Sequence, residues 1–106
     1  MKLVVTGRHF TVTQAIKSYL EEKMSRLDKY AKDIIDAKVI LQMEKHDAVV
    51  EVNMRLKKNN INVKECNLDM YAAIDKSFDV LKNKIIRYAD KRKDHRHRKV
   101  EEPVED

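Results

Sequence analysis

The sequence predicts an α+β fold: a β-α-β-β-β-α two-layer sandwich, with a four-stranded sheet and two helices packed on one face. Three observations carry that expectation. The middle of the chain holds two segments of period-two apolar alternation, segments of helical period lie on either side, and the connections between the middle strands are short enough for hairpins. A length of 106 residues fits one domain, and a 42% hydrophobic composition supplies one modest core.

Residues 2–6 read as a short strand closed by Gly7, the only glycine. Thr11 with Gln14 then makes a capping box, and Thr13 offers a second N-cap. Ile16, Leu20, Leu27 and Tyr30 follow at helical spacing, which implies a helix of roughly 18–20 residues, about 30 Å long. Ala37, Val39, Leu41 and Met43 alternate with polar residues, as do Val50, Val52, Met54 and Leu56, so each segment is a strand with one face in the core and one wet. Lys45-His46-Asp47 and Lys57-Lys58-Asn59-Asn60 are the turns, the second favoured because Asn tolerates left-handed backbone. Ile61 and Val63 begin a fourth strand whose inward pattern fails at Glu65, where it is expected to bend or leave the sheet. A second helix starts near Asp69, with Ile74, Phe78, Leu81, Ile85 and Tyr88 as its apolar stripe.

The charge distribution says more than the net charge of +5. Seven Lys or Arg stand against two Asp between Arg87 and Lys99, while Glu101, Glu102, Glu105 and Asp106 reverse the sign around Pro103. Residues 1–95 are therefore read as the folded domain and 96–106 as a basic, then acidic, mobile tail. Lys84, Arg87 and Lys91 fall on one flank of the second helix, with His95 and Arg98 continuing the row and Lys82 and Lys93 opposite. On the first helix Arg26 and Lys29 share a flank, and Lys23 lies within the apolar stripe, where a cation must reach the groove rim or meet an anion. Rows of cations at these steps can track a phosphate backbone. Glu22 with Arg26, and Asp75 and Asp79 with Lys82, are the pairings that a merely solvated face would show.

Other chemistries find little support. Gly7 alone cannot build a phosphate-cradling loop, and no Cys/His set has zinc-ligand spacing. His95 and His97 are read as solvated, His9 and His46 as loop residues, and the Glu21-Glu22 and Glu101-Glu102 pairs lack an apolar wall that would raise a pKa. No enzyme, cofactor, metal or small-molecule substrate is expected. Nor is a membrane span or signal peptide, and a single cysteine, Cys66, excludes an internal disulfide and suits a reducing cytoplasm. An RRM would need a further strand and open-face aromatics, whereas Gln42, Glu51, Asn53 and Arg55 stand there. A double-stranded-RNA-binding domain shares the α-β-β-β-α run, but its second helix usually opens with lysines; this one opens Asp69-Met70-Tyr71-Ala72-Ala73-Ile74-Asp75.

That heptapeptide, with Val12-Thr13-Gln14-Ala15-Ile16-Lys17 and Arg26-Leu27-Asp28-Lys29-Tyr30, resembles the ribosome hibernation-promoting factor and protein Y family of bacterial ribosome-associated inhibitors. The likeness runs from residue 1 to about 95 and fits a short-type member or the N-terminal domain of a long one. It implies binding to the 30S subunit and 70S ribosome through 16S rRNA in the decoding channel, by a protein that is monomeric off the ribosome. Carried over by position, the RNA-binding residues are Lys23, Arg26, Lys29, Arg87 and Lys91, with Lys84 added on helical phase. Asp69 to Ile74 are read as capping and packing, with Tyr71 also able to stack on a base. A protein-interaction module, such as a sigma-factor modulator working through the open sheet face, is the alternative from another class, beside a general double-stranded-RNA-binding domain.

Overall fold

A computed structural model describes the backbone of residues 2–97 and the side chains of residues 2–88. The elements are β1 (Lys2–Arg8), α1 (Gln14–Leu27), β2 (Ile34–Glu44), β3 (Asp47–Leu56), β4 (Asn60–Asn67) and α2 (Met70–His97). The strands lie in the order β1-β2-β3-β4, with β1 parallel to β2 and the remaining pairs antiparallel. This is the expected β-α-β-β-β-α sandwich. The side chains of Lys91, His95 and His97, and the acidic tail, lie outside the described residues.

Alternation does what it should along the middle strands. Ala37, Val39 and Leu41 of β2 stand beside Met54, Val52 and Val50 of β3, and Ile61 and Val63 of β4 continue the same rows. All are buried, together with Ile16, Leu20, Met24 and Leu27 of α1 and Ile74, Phe78, Leu81 and Ile85 of α2. Both helices thus cover one face of the sheet and share one core with it. A register shift between Ile34 and Asp36 turns Ile34 inward as well and leaves Ile35 exposed. The other face is not wholly wet: Ile40 and Val49, diagonal neighbours across β2 and β3, are only 6% exposed each.

Several local expectations are corrected. Strand β1 runs through Gly7 to Arg8 rather than stopping before it. What the glycine provides is space, since a Cβ there would lie 2.2 Å from the Phe10 carbonyl oxygen and 3.1 Å from the Val12 side chain. The chain reverses beside it through His9, at φ 51°. Helix α1 has 14 residues, about 21 Å, because it ends at Leu27 and leaves Tyr30 in the following turn. Its N-cap is Thr13, whose hydroxyl accepts from the Ile16 amide at 3.2 Å. The β2–β3 hairpin turns on Lys45-His46, with Lys45 at φ 55°, so left-handed backbone falls on a lysine and not on Asn59 or Asn60. Strand β4 keeps its register past Glu65, which stands opposite Val50. That carboxylate is answered from above by Lys76 of α2, at 3.4 Å, and the strand has no reason to leave.

Replacing Gly7 with alanine should force the Phe10 backbone away and cost about 2 kcal/mol. Thermal melting should register a fall on the order of 10 °C; an unchanged midpoint would show that the corner is slack.

Candidate nucleic-acid interface

Helix α2 is capped by Asp69, whose carboxylate accepts from the Ala72 amide at 2.9 Å. The cap sets the phase of everything after it. Ile74, Phe78, Leu81 and Ile85 face the sheet, one flank carries Tyr71, Asp75 and Lys82 toward α1, and the other carries Lys84 and Arg87 over the edge of β4.

The flank facing α1 is built around one carboxylate. Tyr19 of α1 donates its phenol proton to Asp75 Oδ1, and Lys23 Nζ reaches the same oxygen at 2.9 Å. Lys23 also lies 5.5 Å from the Tyr19 ring centroid, and Tyr19 meets Tyr71 edge to face with ring centroids 5.1 Å apart. The Tyr19 hydrogen bond, and then that of Lys23, hold the Asp75 carboxyl below the usual carboxylate range against the opposing effect of burial. The same Asp75 bond pushes the Tyr19 phenol up and raises the Lys23 ammonium. Lys23 therefore meets an anion across the helix pair. It sits next to the core position that Met24 occupies between Leu20 and Leu27.

The cations expected from the sequence fall into separate places. Arg26 is exposed on α1 and pairs with Glu22 at 3.2 Å, an arrangement worth only a few tenths of a kcal/mol, roughly, at a solvated helix surface. Lys29 is exposed in the turn after α1. On the far flank of α2, Lys84 donates to the Asn62 carbonyl of β4 at 3.1 Å, and Arg87, one turn on, has no carboxylate partner among the described residues. Lys84 and Arg87 share a flank, as helical phase implies. Neither they nor Lys29 joins the Asp75 cluster.

Two features escape sequence reasoning. Lys82 lies 5.8 Å from the ring centroid of Tyr30, which puts this lysine, rather than Lys84, on the side of α2 toward α1. Tyr30 itself looked like core and is 38% exposed. The signal was available in Lys82 and Asp75 sharing a helix flank, but the Tyr30 partner needed the early end of α1. The open sheet face pairs several of its polar groups internally, though not Lys38 or Lys64. Arg55 meets Asp36 at 2.7 Å, Asn62 donates to both Glu51 and Asn53, and Gln42 donates to Glu44. Among the described residues no group of three His, Cys, Asp or Glu could hold a metal ion, and no helix is long and apolar enough to cross a membrane.

Residues 3–93 match the family described as Sigma 54 modulation protein / S30EA ribosomal protein. The chain belongs to that family. It is 37% identical over 111 residues to the ribosome hibernation promotion factor of Deinococcus radiodurans, a match covering 95% of this chain but 58% of that longer protein. With the ribosome hibernation promoting factor of Salmonella typhimurium it shares 30% identity over 95 residues, 90% of this chain and 100% of that one. Among solved structures, the N-terminal domain of Thermus thermophilus protein Y superposes with a TM-score of 0.73 at 38% identity, covering 82% of this chain and 94% of that domain. A ribosomal subunit interface protein from Coxiella burnetii shares the fold, at TM-score 0.79 and 24% identity, over 83% of this chain and 97% of that one.

The Asp75 cluster gives this family member a defined pH signature. The lowered Asp75 pKa contributes stability that is present above the ordinary carboxylate value and is lost as pH falls through the depressed one. The raised Lys23 pKa contributes below the ordinary lysine value and is lost as pH rises through the elevated one. Asp75→Asn should thus be less stable than the native chain by about 1 kcal/mol at neutral pH. The gap should begin to narrow below about pH 4 and close once pH has passed below the depressed Asp75 value, as read by urea denaturation at several pH values; a gap that persists there would rule out the charge pair as its source.

Proposed function

We propose that this chain is a ribosome-associated hibernation factor that binds the 30S subunit and the 70S ribosome through 16S rRNA. It occupies the decoding channel, where mRNA and the A- and P-site tRNAs would lie. Translation is blocked by occlusion, without catalysis or cofactor, and idle ribosomes are preserved in stationary phase or stress. Off the ribosome it is a cytoplasmic monomer.

The observation that carries this reading is the match across the entire length of a Salmonella factor named for ribosome hibernation. The charges supply the mode of binding. Lys29 and Arg87 stand exposed without a carboxylate partner among the described residues, and Arg26 is held only by a solvated pair that a phosphate can displace. Lys84 adds a cation beside Arg87, and Lys91 follows one turn later on the same flank. Lys23 enters with its charge already answered by Asp75, so it acts mainly by fixing the groove between the helices and adds the least to phosphate binding. The open sheet face, which a protein-interaction reading would use, has seven of its polar side chains engaged with one another, Lys38 and Lys64 excepted.

Purified bacterial ribosomes mixed with the chain and separated on sucrose gradients should carry it in the 30S and 70S fractions at low salt and lose it at high salt. A well-folded Arg87→Glu/Lys91→Glu variant should no longer co-migrate. Neutralising the same two residues to alanine should lower the slope of log affinity against log salt by about 2, roughly one unit per phosphate contact. Undiminished co-migration of the charge-reversed variant would remove these residues from the interface.

A further inference from the structure

Above the edge of β4 lies an open cleft of about 300 Å³ that the helical charge pattern does not reveal. One wall is the flank of α2 with Lys84, Arg87 and Tyr88; the other is the β3–β4 turn and the start of β4, with Asn59, Asn60 and Asn62. Among the described residues no carboxylate lines it. Strand β4 pairs with β3 alone, so its other side presents unpaired backbone groups.

Which groups those are follows from two hydrogen bonds. The Leu56 amide donates to the Asn59 carbonyl at 2.8 Å, toward β3, whereas the Asn62 carbonyl is reached from outside by Lys84 at 3.1 Å. The N–H and C=O of one strand residue point to the same side and alternate along the strand. Ile61 therefore faces β3, while the N–H groups of Asn60 and Asn62 point outward at the cleft, as the Asn62 carbonyl does. Lys84 binds the Asn62 carbonyl and so masks one of the two outward acceptors, the Asn60 carbonyl being the other. Beside the Asn60 carbonyl, what remains exposed is a majority of donors: two backbone amides, the Arg87 guanidinium and the free protons of the Lys84 ammonium.

We propose that this cleft seats one phosphate group of an RNA backbone, held jointly by Arg87, Lys84 and the outward amides of Asn60 and Asn62. The inference rests on the ribosome-binding reading and deepens it, because the sheet edge becomes part of the RNA contact and not only the helix flank. A tetrahedral phosphate takes donors from several directions at once, as a helix wall and a strand edge supply them. Lys84 has two roles: it masks the carbonyl and it contributes charge.

The test removes the amides without touching charge. Proline is tolerated on an edge strand where the N–H points away from the sheet, so Asn60→Pro and Asn62→Pro each delete one outward donor. Asn60→Ala and Asn62→Ala measure what the side chains contribute, and the Pro-to-Ala ratio isolates the N–H. Ribosome affinity from the sedimentation assay should fall roughly fivefold from Ala to Pro at either position. In parallel, 15N spectra of the full chain are titrated with inorganic phosphate, a short oligouridylate and a short oligoglutamate. The Asn60 and Asn62 amide signals should shift saturably with phosphate and oligouridylate, and the shifts should vanish in Arg87→Ala.

Equal affinity of Pro and Ala variants, in a chain that sediments with ribosomes, overturns the cleft and leaves the ribosome reading intact. Failure of the native chain to sediment overturns the ribosome reading, and the phosphate and oligouridylate titrations then decide the cleft alone. If a proline variant does not fold, the amide shifts of the native chain decide in the same way. An oligoglutamate shift equal to the oligouridylate shift would make the cleft a peptide carboxylate site and refute the phosphate assignment.

Discussion

The carboxylate of Asp75 is the point on which the arrangement of the two helices turns. Helix α2 lies mainly on β3 and β4, while α1 meets β1 and α2, so the sheet alone does not dictate how the helices face one another. Asp75 does so by taking a phenol proton from Tyr19 and an ammonium proton from Lys23 on a single oxygen. Two donors one helical turn apart on α1 can converge on one acceptor of α2 only over a narrow range of helix rotation and offset. Tyr71, a turn before Asp75, closes the end of the groove against the Tyr19 ring. Because the donors are a cation and a phenol, the link is strongest where Asp75 is ionised and its partners are protonated, which includes the neutral range.

That constraint sorts the positive charge. Lys23 faces inward and is neutralised, and Lys82 is drawn over Tyr30. Lys29 and Arg87 have no such partner among the described residues, and Arg26 has only a solvent-exposed one. A basic protein can thus carry a half-buried lysine beside its core, with its charge answered, provided that the acid it needs lies on the neighbouring helix. Lys76 meets the inward Glu65 at the rim of β4 by the same logic with the signs exchanged. Both pairs use α2, which supplies the anion in one case and the cation in the other.

Much of the fold was legible in the residues, for physical reasons. Alternation in Ala37–Leu41 and Val50–Leu56 leaves a strand no other way to bury one face, and the Ile74–Ile85 stripe leaves a helix no other way to meet it. Met43, in the same row as Leu41, is nevertheless exposed at the hairpin end. The misreadings fall where a local pattern depends on a remote partner. Glu65 looked like the end of a strand because Lys76 is supplied by the following helix. The inward phase of Lys23 requires that it reach the groove rim or meet an anion, but Asp75 lies 52 positions further on (75 minus 23) and nothing in the helical period names it. Tyr30 extended the α1 stripe in projection, yet the helix ends at Leu27. Of the candidate site, the shared flank of Lys84 and Arg87 was legible from phase. The cleft beside them was not, since it depends on which way the amides of β4 point.

The parallel pairing of β1 with β2 has a consequence for the order in which the chain assembles. The β2–β3 and β3–β4 connections span only a few residues, whereas β1 reaches β2 only after residues 9–33, α1 included, have been laid down between them. Closing that longer loop adds about 2 kcal/mol of chain entropy relative to a hairpin. Nothing within β1 offsets it by deep burial, for no residue of Lys2–Arg8 is fully buried. The three-stranded meander is therefore the local, early-forming part of the topology, and β1 is the edge that joins by a non-local contact. The same asymmetry applies in reverse: β1 meets the core only through the half-buried Leu3 and Val5, so it is the strand expected to detach first.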